Sequence, residues 1–418
     1  MSNSMQIKRV VGATLLIAGT DIGAGMLSMP LVTGLVGFLP AMLLFVLMWL
    51  LMLWCADLVV ETTLATSRQG KQEVNLVRMA RRTLGPAGEA VTWCSFLLLF
   101  YTLTAAYMKG SGQLVSETAQ TWLGWSLPAW QLPLPILLLC APAVGIGLGS
   151  VQRLNYWLMA GFVVAFVVML DMVWPFMQPQ RLLHIDLRYA WVCVAVIAAG
   201  FAYHVVVPSL VHYLQRDIRS IHISITAGSL IPLAVYTVWE LVVLAAVPVH
   251  GPHGLADLLQ HDLTLATSLR HHGGAGNAMA TFALFAVVTS FLGVSMGLRD
   301  FLRDGLGVRS RLIALACTFT PPLLLIWTTQ SAFVTILEYA GAFVAVLHGI
   351  LPAAMVLALR RNKQLTTQNS YRAWGGQAAI AALIMVFATI IFLVLAKNLG
   401  WIALDVSAYL LPQNGSAA

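Results

Sequence analysis

Some eleven long apolar stretches, joined by short charged connections, leave this chain few folds to adopt. They run at about 9–36, 38–64, 89–117, 132–149, 156–176, 189–213, 221–248, 277–301, 312–328, 332–359 and 378–399. Each lies within or above the range of roughly 17–25 residues that carries a helix across a bilayer. A backbone in lipid must satisfy its own hydrogen bonds, as helix or closed barrel. Charged residues make up 9% of the 418 and hydrophobic ones 59%, where a soluble domain carries about 25% charge. The pattern predicts an all-α, multi-pass membrane protein forming a single transmembrane domain. It excludes a soluble enzyme. The net charge of +7 reads as loop charge, not as a nucleic-acid footprint. Lys8 and Arg9 ahead of the first run imitate a signal peptide, but the run is too long, so it reads as an uncleaved first helix.

The first span interrupts itself. Ala18-Gly-Thr-Asp-Ile-Gly-Ala-Gly-Met-Leu-Ser-Met-Pro30 places Gly19, Gly23 and Gly25 around Asp21, the only charge between Val10 and Leu39. Glycine weakens a helix interior, and backbone freed at membrane depth survives only beside protein or a cavity. The sixth span matches it, with Ala198-Ala-Gly-Phe-Ala-Tyr-His-Val-Val-Val-Pro-Ser209. Both carry a mid-membrane glycine and a proline two to three turns later. Interrupted helices at corresponding positions of two halves point to an inverted-repeat transporter site. The halves are about 9–176 and 189–359, with an extra span at about 378–399.

Lys and Arg set the orientation. With the N-terminus inside, eighteen of the 23 basic residues fall on the cytoplasmic side, Arg68, Lys71, Arg309 and Lys363 among them, and four outside. That is a positive-inside distribution, and an odd span count leaves the C-terminus outside. In the loop at 66–88, Val77, Ala80 and Leu84 recur at helical spacing, which predicts a short amphipathic helix. The outer loop at 249–276 holds His250, His253, His261, His271 and His272. Their spacing fits no compact metal set, so the loop reads as solvated or pH-responsive. The five cysteines sit in apolar segments without a CxxC and read as small buried hydrophobes. No cofactor or metal motif is present.

The candidate chemistry follows from the breaks. Amides of Gly23, Ala24 and Gly25 at a restarting helix suit a carboxylate. Carbonyls near Ala18 and Gly19 suit an ammonium, so one break can hold both ends of an amino acid. Asp21 binds a cation, carries a proton or forms an ion pair. Lys109 is its obvious partner, or snorkels to the interface. Glu240 and Glu338 are each the sole charge of their helices, while Asp57, Glu61 and Asp171 near span ends read as interfacial. In span six, Phe201, Ala202, Tyr203 and His204 bring aromatic surface and a titratable ring. Thr289 and Ser290 are adjacent hydroxyls that suit a Na⁺, or bond back to their own helix.

These motifs resemble the bacterial aromatic amino-acid permeases, the tyrosine, tryptophan and hydroxy/aromatic amino-acid permease family, and most of all its tyrosine-specific members. The family's GTxIGAGML(A/S)MP is matched from Gly19 to Pro30. Tyr101-Thr-Leu-Thr-Ala-Ala-Tyr107 is similar to YALTAAY. Phe201–Ser209 is similar to FGFHGxVPS, and Ala286–Ser295 to ATSFLGVA. The resemblance covers about residues 8 to 400. It implies an eleven-span secondary transporter of the leucine-transporter type in the bacterial inner membrane, importing an aromatic amino acid with protons. It also implies that Gly23, Ala24 and Gly25 hold the substrate carboxylate, with spans one, three, six, eight and ten around the ligand. The residues and the resemblance together yield an expectation. Tyrosine, or else tryptophan or phenylalanine, sits between the breaks, in a pocket of Phe201, Tyr203, Tyr101 and Tyr107. The proton site is Asp21, His204 or Glu338, with Na⁺ at Thr289 and Ser290 the alternative. This chain departs from the family at Asp21, Lys109, Ala202, Tyr203, Val205 and Glu240. A non-transporting sensor of the same fold is the rival reading; a membrane-embedded enzyme would need a catalytic cluster that isolated charges do not supply.

Overall fold

The computed structural model describes residues 3–67, 75–270, 272, 274–308, 310–329, 332–361 and 371–410. Arg68, Lys71, His271, Arg309 and Lys363 lie outside them. Among the described residues there are helices and no strand. Ten helices are long and apolar enough to cross a membrane. The broken sixth stretch (Leu187–Tyr213) is among the ten and the first is not, so ten of the eleven expected spans are found and the first is a further broken segment.

That segment comprises α1 (Asn3–Asp21), a 3₁₀ turn (Ala24–Leu27) and α2 (Met29–Val36). Gly37 joins it to α3 (Phe38–Thr66) with φ of 96°, and a Cβ there would sit 1.8 Å from the His184 carbonyl oxygen. Only glycine tolerates both conditions. The helix α4 (Leu76–Leu123) starts on an Asn75 cap, whose side chain accepts from the Arg78 amide at 2.9 Å. Its first turns are the predicted loop helix. Leu76, Met79 and Ala80 are buried there, and Val77 and Leu84 pack half-buried against the core. Gly85, at φ 76° and followed by Pro86, kinks it before the span proper.

Then come α5 (Leu134–Ile146) and α6 (Leu148–Val173). The sixth apolar stretch is also broken. It has α7 (Ala190–Ala199), a 3₁₀ turn (Tyr203–Val206) and α8 (Val207–Tyr213). The two breaks share one local plan: helix, irregular turn, four-residue 3₁₀ segment, then a helix with proline in its first two positions. Proline is tolerated there because the first amides have no intrahelical partner.

Next is α9 (Ile218–Ala246), capped by Asp217, which accepts from the Ser220 amide and hydroxyl and from Gln6 of α1. Two short helices, α10 (Leu255–Gln260) and α11 (Leu265–Ser268), fill the following connection. They lead to α12 (Ala275–Leu306), α13 (Arg311–Thr329) and α14 (Phe333–Val344). A π-helical segment (Ala345–Ile350) joins α14 to α15 (Leu351–Arg361), and α16 (Gln377–Asn398) and α17 (Ser407–Leu410) close the chain.

Packing separates an inner group from a periphery. α1 lies along α9, α12 lies against α4 and α6, and α14 lies against α4 and α7. The most apolar window of the α14–α15 segment is 67% buried, that of α6 only 22% and that of α16 28%. In water such exposed apolar faces would be costly. In lipid they are the ordinary outer surface of a bundle.

Candidate functional site

The two breaks meet, and α9 holds them together. The Tyr236 hydroxyl lies 2.6 Å from the Asp21 carbonyl oxygen and 2.9 Å from that of Gly200. Its one proton serves a carbonyl from each broken helix. Three residues on, the Trp239 indole donates to the Met26 carbonyl at 2.8 Å. Both side chains are fully buried. Tyr236 and Trp239 satisfy backbone that the first break releases, which is the condition for breaking a helix inside a membrane. Neither was singled out from the sequence. The available signal was their spacing, since residues 236, 239 and 240 share one helix face.

The three glycines of the first break do different work. A Cβ on Gly23 would sit 2.3 Å from Ser290 Oγ, while one on Gly19 or Gly25 would meet nothing within 4 Å. Gly23 is therefore the close approach of the first segment to α12. Ser290 completes that contact by accepting from the Ala24 amide at 2.9 Å, which leaves its own hydroxyl proton to donate. Thr289 instead bonds back to the Phe285 and Ala286 carbonyls of α12. At the second break a Cβ on Gly200 would meet Met29 Cε at 2.1 Å, so the broken segments touch there.

Asp21 is 8% exposed, and neither carboxylate oxygen makes a hydrogen bond among the described residues. The amides of Ala202 and Tyr203 in the second break are its polar neighbours. Lys109 is not its partner, contrary to expectation. Lys109 lies 2.8 Å from Asp262 in the connection between α10 and α11. Asp262 also accepts from Gln113 Nε2 and from the Phe333 amide. Snorkelling is thereby replaced by a partly buried ion pair. Asp262 also lines a narrow cleft of about 40 Å³ between α2, α4, α12, α14 and the α10–α11 connection, with Leu27, Leu31, Leu114, Val287 and Phe333 in its wall. That volume holds only a few waters.

The aromatic candidates separate. Tyr107 is buried and lies near Tyr236. Tyr101 points elsewhere and donates to the Cys317 carbonyl of α13. Six helical positions put the two about 120° apart around the axis. Phe201 packs edge-on against Phe45 and Tyr236. Tyr203 stacks on His204, and His204 stacks on His348 of the π-helical segment at 4.8 Å. His204 Nε2 lies 2.9 Å from the Met52 carbonyl, which fixes its proton on that nitrogen. The structure does not bring Glu338 to the breaks as an isolated acid. It pairs with Lys397 of α16 at 2.5 Å. Glu61, expected at the interface, is buried in a pair with Arg360 at 2.7 Å, and Asp57 lies 3.2 Å from His222. Among the described residues no three His, Cys, Asp or Glu side chains gather as a metal set.

Comparison with known proteins gives the site a context. The sequence pattern of the tryptophan/tyrosine permease family matches residues 6–395. Tyrosine-specific transport system 1 of Haemophilus influenzae is 28% identical over 415 residues, covering 95% of this chain and 99% of that protein. Tyrosine-specific transport system 2 of the same organism is 30% identical over 90% of this chain and 94% of its own length. A tryptophan-specific transport protein of Pseudomonas aeruginosa is 29% identical over 90% of this chain and 92% of its own.

Proposed function

The chain belongs to the tryptophan/tyrosine permease family and is an amino-acid transporter rather than an enzyme; we propose that it imports an aromatic amino acid, tyrosine foremost, with protons. The observation that carries this reading is the meeting of two broken helices around Asp21, with Ser290 on one side and Tyr236 on the other. The substrate carboxylate binds the Gly25 amide and the Ser290 hydroxyl proton. Carbonyls near Ala18 and Phe201 take the ammonium, and Tyr107 borders the ring. Asp21, buried beside the second break, is the favoured proton site at the substrate. Glu338 loses standing because Lys397 neutralises it. Thr289 donates its proton to its own helix, which leaves its oxygen lone pairs to a Na⁺ as the alternative.

The proposed frame is eleven spans in a five-plus-five inverted repeat, supported by the shared plan of the two breaks. The bundle sits in the bacterial inner membrane with the N-terminus inside. Substrate arrives from outside along the cleft beside Asp262, and rocking of the broken segments exposes it inward. Uptake of labelled tyrosine into proteoliposomes under an imposed pH gradient, with and without Na⁺, tests this. We expect accumulation that needs the pH gradient and ignores Na⁺. Failure to accumulate any aromatic amino acid under either gradient would reject the reading.

A further inference from the structure

Glu240 has a place in the molecule that the substrate site does not use. It lies on α9 beside Trp239 and is 0% exposed. Its Oε2 is 2.7 Å from Thr33 Oγ1 of α2, and its Oε1 has no hydrogen-bond partner. No Lys, Arg or His nitrogen lies within 4 Å of it among the described residues.

The hydrogen count at Thr33 limits the charge on Glu240. Thr33 Oγ1 also lies 2.8 Å from the Met29 carbonyl oxygen. A carbonyl only accepts, and a hydroxyl has one proton. If that proton goes to Met29, the contact with Glu240 exists only when Glu240 supplies its own. If the proton goes to Glu240 instead, a buried carboxylate is held by a single hydroxyl with no cation, and such a charge is not retained in an apolar interior.

The other titratable groups around it do not alter the count. Asp21 of α1 and Tyr236 of α9 are at the break. Cys193 of α7 lies near Glu240 and donates to the Val32 carbonyl. Beyond Cys193 stands Glu338, already paired with Lys397. Arg181, on the segment packed against the end of α9, donates to the Ala245 and Ala246 carbonyls. On α3, Cys55, Asp57 and Glu61 lie in the half away from Gly37, and Asp171 of α6 is exposed.

We infer that Glu240 is a second proton-binding site, whose bound proton fastens α2 to α9. The proton bonds Oε2 to Thr33, and α2 is the half of the broken first segment that borders the cleft beside Asp262. Releasing the proton would leave a bare carboxylate in an apolar contact. Release therefore requires α2 to part from α9 and admit water. Movement of α2 and exchange of the proton become one event, which is a physical means of coupling. The inference rests on the transport reading above for its consequence, but not for the existence of the site.

Infrared difference spectroscopy of the purified full chain in lipid, titrated without substrate, tests the site directly. We expect a carboxylic-acid carbonyl band that titrates in the native protein and is missing from Glu240→Gln. Thr33→Val removes the acceptor of the acid proton. It should shift the midpoint of that band by roughly half to one unit, the effect of one ordinary hydrogen bond. In proteoliposomes Glu240→Gln should still exchange external for internal tyrosine, because its amide can donate to Thr33, while losing at least tenfold of the accumulation driven by the pH gradient. An unchanged band in Glu240→Gln, or an unshifted midpoint in Thr33→Val, overturns the site. Full gradient-driven accumulation by Glu240→Gln overturns its part in coupling. A Glu240-dependent band in a protein that accumulates no aromatic amino acid would leave the site standing and reject the transport reading instead.

Discussion

Gly23 and Gly25 are two residues apart, and the structure asks opposite things of them. Gly23 has Ser290 against it, whereas Gly25 opens onto unfilled space. Gly23→Ala must push Ser290 aside and strain its bond to the Ala24 amide. Overpacking of this kind costs about 1–3 kcal/mol, which should appear as a lower thermal unfolding midpoint with or without ligand. Gly25→Ala has room for its methyl group and should unfold at the native temperature. On the proposed reading tyrosine raises the native midpoint, and Gly25→Ala should lose that increase because its methyl would occupy the ligand's space. Equal destabilisation by the two substitutions would contradict the assignment of Gly25 to the substrate.

At the scale of elements, the connection carrying α10 and α11 is tied to α4 and α14 through Asp262. Its carboxylate meets Lys109, Gln113 and the Phe333 amide. The Lys109 side chain is 10% exposed and that of Asp262 26%, so the pair is neither fully screened nor fully buried. Asp262→Asn takes the negative charge from an enclosed ammonium. Lys109→Met leaves Asp262 its bonds to Gln113 and Phe333. The first should therefore lower the unfolding midpoint more than the second, and the double variant should recover part of the loss; a double-mutant cycle of thermal midpoints reads this. The sequence made some of these elements legible and hid others. Glycine and proline inside apolar runs located both breaks, with Asp21 marking the first, because those residues act on their own backbone. Positions such as Tyr236, Trp239, Thr33 and Asp262 were hidden, because each matters through a partner about 70 to over 200 positions away. The separation of Tyr101 from Tyr107 was available from helical geometry, but a motif match treats the two tyrosines alike.

Across the whole molecule, the Asp262 tie has a counterpart at the opposite end of the bundle. There Arg360 at the end of α15 makes two bonds to Glu61 of α3, at 3.0 and 2.7 Å, and two more to the Ala373 and Gly375 carbonyls. The Ala373 amide also donates to Glu61. The side chains of the pair are 4% and 5% exposed, and removing one partner from a buried pair costs about 3–5 kcal/mol. In a transporter that opens one end at a time, each tie belongs to the state closed at its own end. Weakening one must then favour opening there at the expense of the other end. Reporter cysteines at Leu64 and Leu258, both buried, can follow the two ends once the five native cysteines are replaced. Glu61→Gln should raise labelling of Leu64→Cys and lower that of Leu258→Cys; Asp262→Asn should do the reverse. A shift near 3 kcal/mol corresponds to roughly a hundredfold change in the conformational ratio, well within reach of labelling rates. If either variant raises labelling at both ends, the ties only stabilise the fold and do not divide its two states between them.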